Sequence, residues 1–370
     1  MSIRLNLLYV RTGVEHESLV GWDTGSLQTG PCLPWRPGRR TFAAMRLTWP
    51  LISLVLGACT GTTGDDSQTL ESTVAEIQST HCWQTTLAWG DGESELGLIP
   101  RGYEVVARGP QALAVAKNGE VFVLDSVNGR VLGVTQNGSR VAVKEVATDA
   151  EDLAVGSDGA LAVHSPFQSR SWIFDADGAP AGELEISRSL RGLVGISLGD
   201  SREVIAHSAY QESFSMGSPA APKDLPTLLS QKREGAYQLS DGRGVSVRAQ
   251  AGVAEVLLLR SSAGENARTE TSAVLAISGE VTGANLVGVS GDIACLRLEK
   301  VEQPGDAIEV SRRSYCLNTT TGAAVVDNPM PAANIYRPRH ELAVGGDTPV
   351  LASLQPSDHG LTVVACEVLR

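Results

Sequence analysis

The chain has 370 residues, 42% of them hydrophobic and only 5% aromatic, with a formal net charge of −12 at pH 7. That length is enough for one large domain or two smaller ones. The acidic balance and the lack of a basic cluster exclude nucleic acid as a partner, because polyanions are held by Lys and Arg that neutralise phosphates.

The first informative element is an export segment. Residues 45–59 read MRLTWPLISLVLGAC: Arg46 supplies positive charge, Leu51 to Leu56 form an apolar core, and Gly57 and Ala58 are small. This is the layout of a signal peptide. The uncharged run from Leu47 to Ala58 is twelve residues, short of the roughly 18 that a membrane span needs. Leu56-Gly57-Ala58-Cys59 resembles the lipobox of bacterial lipoproteins. The resemblance implies a diacylglyceryl group on the Cys59 sulfur, cleavage before Cys59 and acylation of the freed amine. More than one acyl chain is what stable anchoring requires. Residues 45–58 are then the signal peptide and 59–78 a lipidated tether, since 60–69 (TGTTGDDSQT) is polar and rich in Gly and Thr. The implied location is the bacterial cell envelope. Thr60, in place of the Asp that marks inner-membrane retention in that family, favours the outer membrane.

Residues 1–44 lack periodicity and carry Cys32 outside any motif. Either the start is assigned too early and Met45 initiates, or the segment is an export leader. For the second reading, Gly38-Arg39-Arg40-Thr41-Phe42 resembles the twin-arginine motif. The first reading is preferred, and the folded domain is expected over residues 79–370.

Four cysteines follow Cys59: Cys82, Cys295, Cys316 and Cys366. An even number in an exported chain points to disulfides. Pro304-Gly305-Asp306, midway between Cys295 and Cys316, is a strong turn signal flanked by strand-like arms, so these two cysteines should face each other on a hairpin. Cys82 is left to pair with Cys366, tying the first structured residues to the last. Zinc is disfavoured, because no Cys-x-x-Cys or nearby His pair is present.

Sliding the chain against itself by forty residues shows a repeat. Residues 112–138 (ALAVAKNGEVFVLDSVNGRVLGVTQNG) match 152–178 (DLAVGSDGALAVHSPFQSRSWIFDADG), with Leu113 on Leu153, Gly119 on Gly159, Arg130 on Arg170 and Gly138 on Gly178. A third copy begins at Gly192 and carries a three-residue insertion after Gly199. Asn-Gly and Asp-Gly pairs split each copy into short strands, and four strands per roughly 40 residues is the period of propeller blades. The pattern resembles NHL-type repeats. The fold class is therefore all-β: a single β-propeller of six blades with four antiparallel strands each, seven being the alternative. Residues 236–280 and 285–328 supply degenerate blades, and 341–370 supply three strands completed by His81 to Trp89. The Cys82–Cys366 bond would lock that closure by restraining the unfolded chain. Residues 216–233, rich in Pro and polar side chains, read as a long surface insertion in blade three.

The motifs offer little chemistry. Gly195-Ile196-Ser197-Leu198-Gly199 matches a nucleophile elbow but precedes a strand-like segment where a helix is needed. His340-Glu341 lacks the second His of a zinc-protease motif, and Asp175-Ala176-Asp177-Gly178 lacks the remaining calcium ligands. No catalytic residue, metal site or cofactor is predicted. The one repeated polar element is His164-Ser165-Pro166-Phe167-Gln168 against His207-Ser208-Ala209-Tyr210-Gln211, with Asp125 and Asn128 in the matching region of blade one. These six, Asp125, Asn128, His164, Gln168, His207 and Gln211, form the candidate ligand face. The histidines can equally bond within their own blades and fix the turns. The expected function is a lipid-anchored binding or interaction scaffold. Its expected partners are the membrane through the anchor, and a protein or small polar ligand met at the central face or the blade-three insertion. The alternative, implied by resemblance to other six-bladed propellers, is a metal-dependent lactonase or hydrolase.

Overall fold

The computed structural model describes residues 69–72 and 81–368, apart from 191, 240–241, 251–252, 261–267, 277–279, 303–307 and 332–334. The export segment, Cys59 and the Pro304 turn lie outside the described residues. Among the described residues, six blades of four antiparallel strands, two of them extended by a fifth short strand, are arranged as a β-propeller with almost no helix. Among the described residues no helix is long and apolar enough to cross a membrane.

Blade one consists of Ala112–Val115, Val121–Asp125, Arg130–Thr135 and Gly138–Val143, in sequence order from the inner strand outward. Blade two repeats it with Asp152–Val155, Leu161–Ser165, Arg170–Phe174 and Pro180–Glu185. The first hairpins superpose in chemistry as well as spacing. Gly119 and Gly159 both hold φ +83°, and Asn118 and Asp158 each accept the N–H two residues on. Only a residue tolerant of the left-handed region fits that position, which is why the Asn-Gly and Asp-Gly pairs recur forty residues apart.

Blade three has Leu193–Leu198, Val204–Ser208, Glu212–Ser218 and a fourth strand cut down to Ala221–Pro222. Its three-residue insertion is the single 3₁₀ turn Asp200–Arg202. The segment expected to be a long surface insertion is instead ordered around the helix Leu225–Ser230, capped by the Asp224 side chain, with Leu228 buried. An apolar Leu three residues into a capped turn is enough to draw the segment onto the core. Blade four comprises Tyr237–Gln238, Gly244–Gln250, Val253–Arg260 and Arg268–Ala276. Thr69–Ser72, within the expected tether, runs parallel to its outer strand. A free sheet edge offers unpaired N–H and C=O groups to any extended neighbour, so these four residues need not remain unpaired.

Blade five comprises Glu280–Ser290, Ile293–Glu302, Glu309–Asn318 and Ala324–Pro329, and Cys295 stands directly opposite Cys316, bonded to it. Blade six comprises Leu342–Gly345, Val350–Ser357 and Gly360–Glu367, completed on its outside by Cys82–Leu87 from the other end of the chain. Cys82 is in register with Cys366, and the two form the second disulfide.

Side chains alternate across each strand, so one face of a blade packs on the blade before it and the other on the blade after. Leu113, Val115, Val121 and Val123 pack against Val350, Ala352, Leu361 and Val363 of blade six. Their neighbours Ala112, Ala114, Phe122 and Leu124 pack against Leu153, Leu161 and Val163 of blade two. Equivalent apolar clusters join blades two and three, four and five, and five and six. No such cluster joins blades three and four among the described residues. That seam is polar. The Gln211 amide donates to the Val247 carbonyl (2.6 Å) and accepts from the Val247 N–H (2.8 Å) and the Ser246 hydroxyl (2.6 Å). Gln238 donates to Ser213 Oγ at 3.3 Å.

Candidate functional site

In a four-stranded meander, the loops between second and third strands and the links between blades open on the same end of the ring. That end, the upper rim, carries all six residues of the predicted ligand face. They do not converge. Asp125 is wholly buried and pairs with Arg130 Nε at 3.2 Å. Its other oxygen accepts the N–H groups of Gly97 (3.1 Å) and Asn128 (3.3 Å). The Asn128 amide donates to Asp125 and to the Gly90 carbonyl, both at 2.9 Å. Arg130 in turn donates to the carbonyls of Gly92 and Glu95 at 2.7 and 2.6 Å. The group is spent on fastening the segment after the closing strand to blade one.

His164 places Nδ1 3.0 Å from the Arg170 carbonyl and 3.1 Å from Ser171 Oγ, and burial lowers its pKa. Gln168 donates its amide to Asp149 at 2.9 Å. The equivalence of Gln168 and Gln211 read from the sequence is off by one residue. Gly129, Ser169 and Gln211, at φ +66°, +55° and +62°, are the residues that immediately precede the third strand in the first three blades. The blade-three loop is one residue shorter, which shifts its Gln into the strained position. The repeated aromatics of these loops, Phe167 and Tyr210, are 83% and 74% exposed on the rim.

Of the six, only His207 and Gln211 reach a shared cavity. It measures about 330 Å³ and lies between the inner strands of blades three, four and five and the segment entering blade six. This is within the size range of small-ligand sites. His207 is 3% exposed, and its ring stacks on Tyr237 at 4.3 Å between centroids. Its Nε2 lies 2.9 Å from Ser197 Oγ, and the ring also hydrogen-bonds the Ala236 backbone. Burial pushes the His207 pKa down to about 4, so the ring is neutral at pH 7. Ser197 sits on an inner strand followed by one 3₁₀ turn and another strand, without the α-helix that an elbow requires.

Sequence reasoning missed most of this cavity. Blade five contributes Arg297, whose Nη1 lies 3.0 Å from Glu341 Oε1. Arg312 grips the same carboxylate at 2.8 and 2.9 Å. Arg337 pairs with Glu299 at 2.7 Å. Burial raises the Glu299 pKa, yet the Arg337 hydrogen bond and the surrounding guanidiniums hold it below the usual carboxylate value. Glu341 is 4% exposed. Arg339 and His340 form a strap over the inner ends of the first three blades. Arg339 pairs with Glu151, and the His340 N–H donates to the Gln111 carbonyl at 2.9 Å. His340 Nε2 stands 3.5 Å from Asp152 Oδ1. Asp152 itself accepts the N–H groups of Leu153 (2.8 Å) and Ile196 (2.5 Å). One signal was available in the repeat, where Asp152 falls on Ala112, a charged residue at an apolar register position. His340-Glu341 was visible too, but as a fragment of a zinc motif. Among the described residues no three His, Cys, Asp or Glu side chains are grouped to hold a metal ion.

No protein-family model matches the chain, and no curated protein sequence matches it. Solved structures similar to it include streptogramin B lyase, at 10% identity over 76% of this chain and 97% of that one, with a TM-score of 0.41. The PQQ-bound aldose sugar dehydrogenase of Streptomyces coelicolor is similar at 13% identity over 79% and 100%, with a TM-score of 0.41. A putative gluconolactonase is similar at 10% identity over 80% and 97%, with a TM-score of 0.40. Likenesses this distant carry no argument about substrate or activity.

Proposed function

We propose that this chain is a lipid-anchored binding module of the bacterial cell envelope that holds a small polar ligand in the cavity between blades three and six. The observation that supports ligand binding is the set of buried polar side chains that converge on this cavity from separate blades. His207, Arg297, His340 and Glu341 all line that one cavity, and the buried Arg297 Nε lacks a hydrogen-bond partner among the described residues. Buried polar groups are almost always satisfied, and each one left alone costs about 1–3 kcal/mol. The cavity wall is also built from four separate elements of the ring, which is how propellers and other closed folds assemble sites from distant sequence. The anchor rests on the lipobox residues Leu56 to Cys59 and the polar stretch after them.

The ligand site is tested by thermal unfolding of the purified full chain against a panel of amino acids, sugars and organic acids. Val194 lines the cavity and is 43% exposed, so Val194→Trp should fill the mouth without disturbing the core. A compound that raises the melting temperature of the wild type and not of Val194→Trp supports the site. If no compound acts, or both proteins respond alike, the cavity is not the site. The anchor is tested by metabolic labelling with an alkyne fatty acid, which should mark the wild type and not Cys59→Ala.

A further inference from the structure

The end of blade one opposite the upper rim holds a second, open cavity of about 540 Å³, within the size range of small-ligand sites. Two hairpin turns of blade one and the start of the closing strand form its wall. Trp83, Thr85 and Leu87 point from that strand toward blade one, as its period of two requires. Thr85 Oγ1 donates to the Thr135 carbonyl at 3.0 Å, which holds the strand against the turn. Trp83 is partly buried and lines the cavity. The wall has one cation and one anion, Arg140 and Glu120, and they pair with each other through bonds of 2.9 and 3.1 Å. The other polar side chains include three exposed carboxamides, Asn118, Gln136 and Asn137.

Blade two shows what such turns need for themselves. Forty residues on, Asp158 stands for Asn118, Ala176 for Gln136 and Asp177 for Asn137. Asp158 pairs with Arg202 at 3.2 Å, and Asp177 accepts the Ala179 N–H at 3.3 Å. In blade one only Asn118 Oδ1 is engaged, by the Glu120 N–H at 3.0 Å. The side-chain amides of Gln136 and Asn137 make no hydrogen bond among the described residues, so turn formation does not account for them.

We propose that this groove binds a neutral saccharide, one sugar ring lying against Trp83 and its hydroxyls held by Asn118, Gln136 and Asn137. A hydroxyl both donates and accepts, and a carboxamide offers both functions side by side. An indole presents a broad apolar face with a polar edge, which matches the C–H face and hydroxyl rim of a sugar ring. With both charges of the wall neutralised, a charged ligand would give up its hydration for no opposite charge in return. The site is separate from the cavity between blades three and six and does not depend on it.

The test is isothermal titration of the purified full chain with cellotriose, maltotriose and chitotriose, and with the charged trigalacturonate. At least one neutral probe should bind with a Kd of about 1 mM or tighter, and trigalacturonate at least about tenfold more weakly. Trp83→Ala should weaken the best probe about tenfold. Because Trp83 also packs between blades six and one, the double variant Gln136→Ala, Asn137→Ala changes only exposed turn side chains. It should keep the wild-type melting temperature and lose about tenfold in affinity. Val194→Trp should bind the probe as the wild type does, which tells this groove from the cavity between blades three and six. The assignment is overturned if no neutral probe binds, if trigalacturonate binds as tightly, or if the double variant keeps full affinity. Loss of saccharide binding in Val194→Trp would equally overturn it, by moving the sugar to the other cavity.

Discussion

Removing the clasp between Cys82 and Cys366 should be a costly change for this fold. The bond spans a sequence separation of 284, against 21 for Cys295–Cys316. In the chain-entropy model those loops correspond to roughly 5–6 and about 3 kcal/mol at 25 °C. Cys82 is exposed, so changing Cys82 and Cys366 to Ala together loses little packing around the first sulfur. The pairing of Cys82–Leu87 with Gly360–Glu367, and the buried Leu87, remain in the folded state. The loss should therefore arise in the unfolded chain. Urea unfolding of the double variant should show a stability loss approaching that figure. The denaturant slope should steepen, because an uncrosslinked denatured chain exposes more surface. A loss below about 1 kcal/mol with an unchanged slope would refute the argument, since it would mean that the clasp does not restrain the unfolded ensemble.

Arg130→Met strands the fully buried Asp125 carboxylate and should cost about 3–5 kcal/mol in urea unfolding. Adding Asp125→Asn should recover part of that loss, and strictly additive losses would contradict the pairing. Gln211→Leu removes the three-bond amide clamp on Ser246 and Val247. It should cost about 1–3 kcal/mol and speed hydrogen exchange at the Val247 amide more than at core amides of blade one. The pH dependence follows from His207, whose folded pKa of about 4 lies below the unfolded 6.5. Between those values the unfolded chain binds more protons, so stability is fully present above pH 6.5 and is lost as pH falls toward 4, by about 3 kcal/mol. His164, also lowered by burial, acts in the same direction. Melting temperatures from pH 7 to pH 4 should fall less steeply in His207→Phe than in the wild type.

Much of the architecture could be read from local chemistry. Gly119 and Gly159 mark turns that only a few residue types permit, and the alternating apolar residues around them leave one way to pack a strand. Cys295 and Cys316 follow from a turn and two arms of equal length. What could not be read is whatever depends on the ring being closed. The Arg339–His340 strap meets Glu151, Asp152 and Gln111 across gaps of more than 180 residues, and no periodicity records such a crossing. Gln211 looked like a ligand residue because it sits on a rim loop beside a His. Its amide is consumed by the neighbouring blade. Leu228 shows the opposite error, since a Pro-rich stretch suggests a loop unless one apolar residue finds a hollow beside it.

The polar seam between blades three and four has a mechanical meaning. Among the described residues five joints of the ring are packed by apolar clusters and the sixth by hydrogen bonds and one ring stack, and such a ring does not yield evenly. Strain introduced anywhere runs around the hoop to the joint that breaks over the shortest distance, and hydrogen bonds fail over shorter distances than packed side chains. In a six-part ring, the joint diametrically opposite that seam is the one between blades six and one, where a large apolar cluster sits. Were the ring to part at the seam, that joint would act as the pivot, and displacement would grow with distance from it. The clasp of the chain ends lies in blade six, beside the pivot, where opening moves the atoms least. The cavity borders the parting edge, where it moves them most.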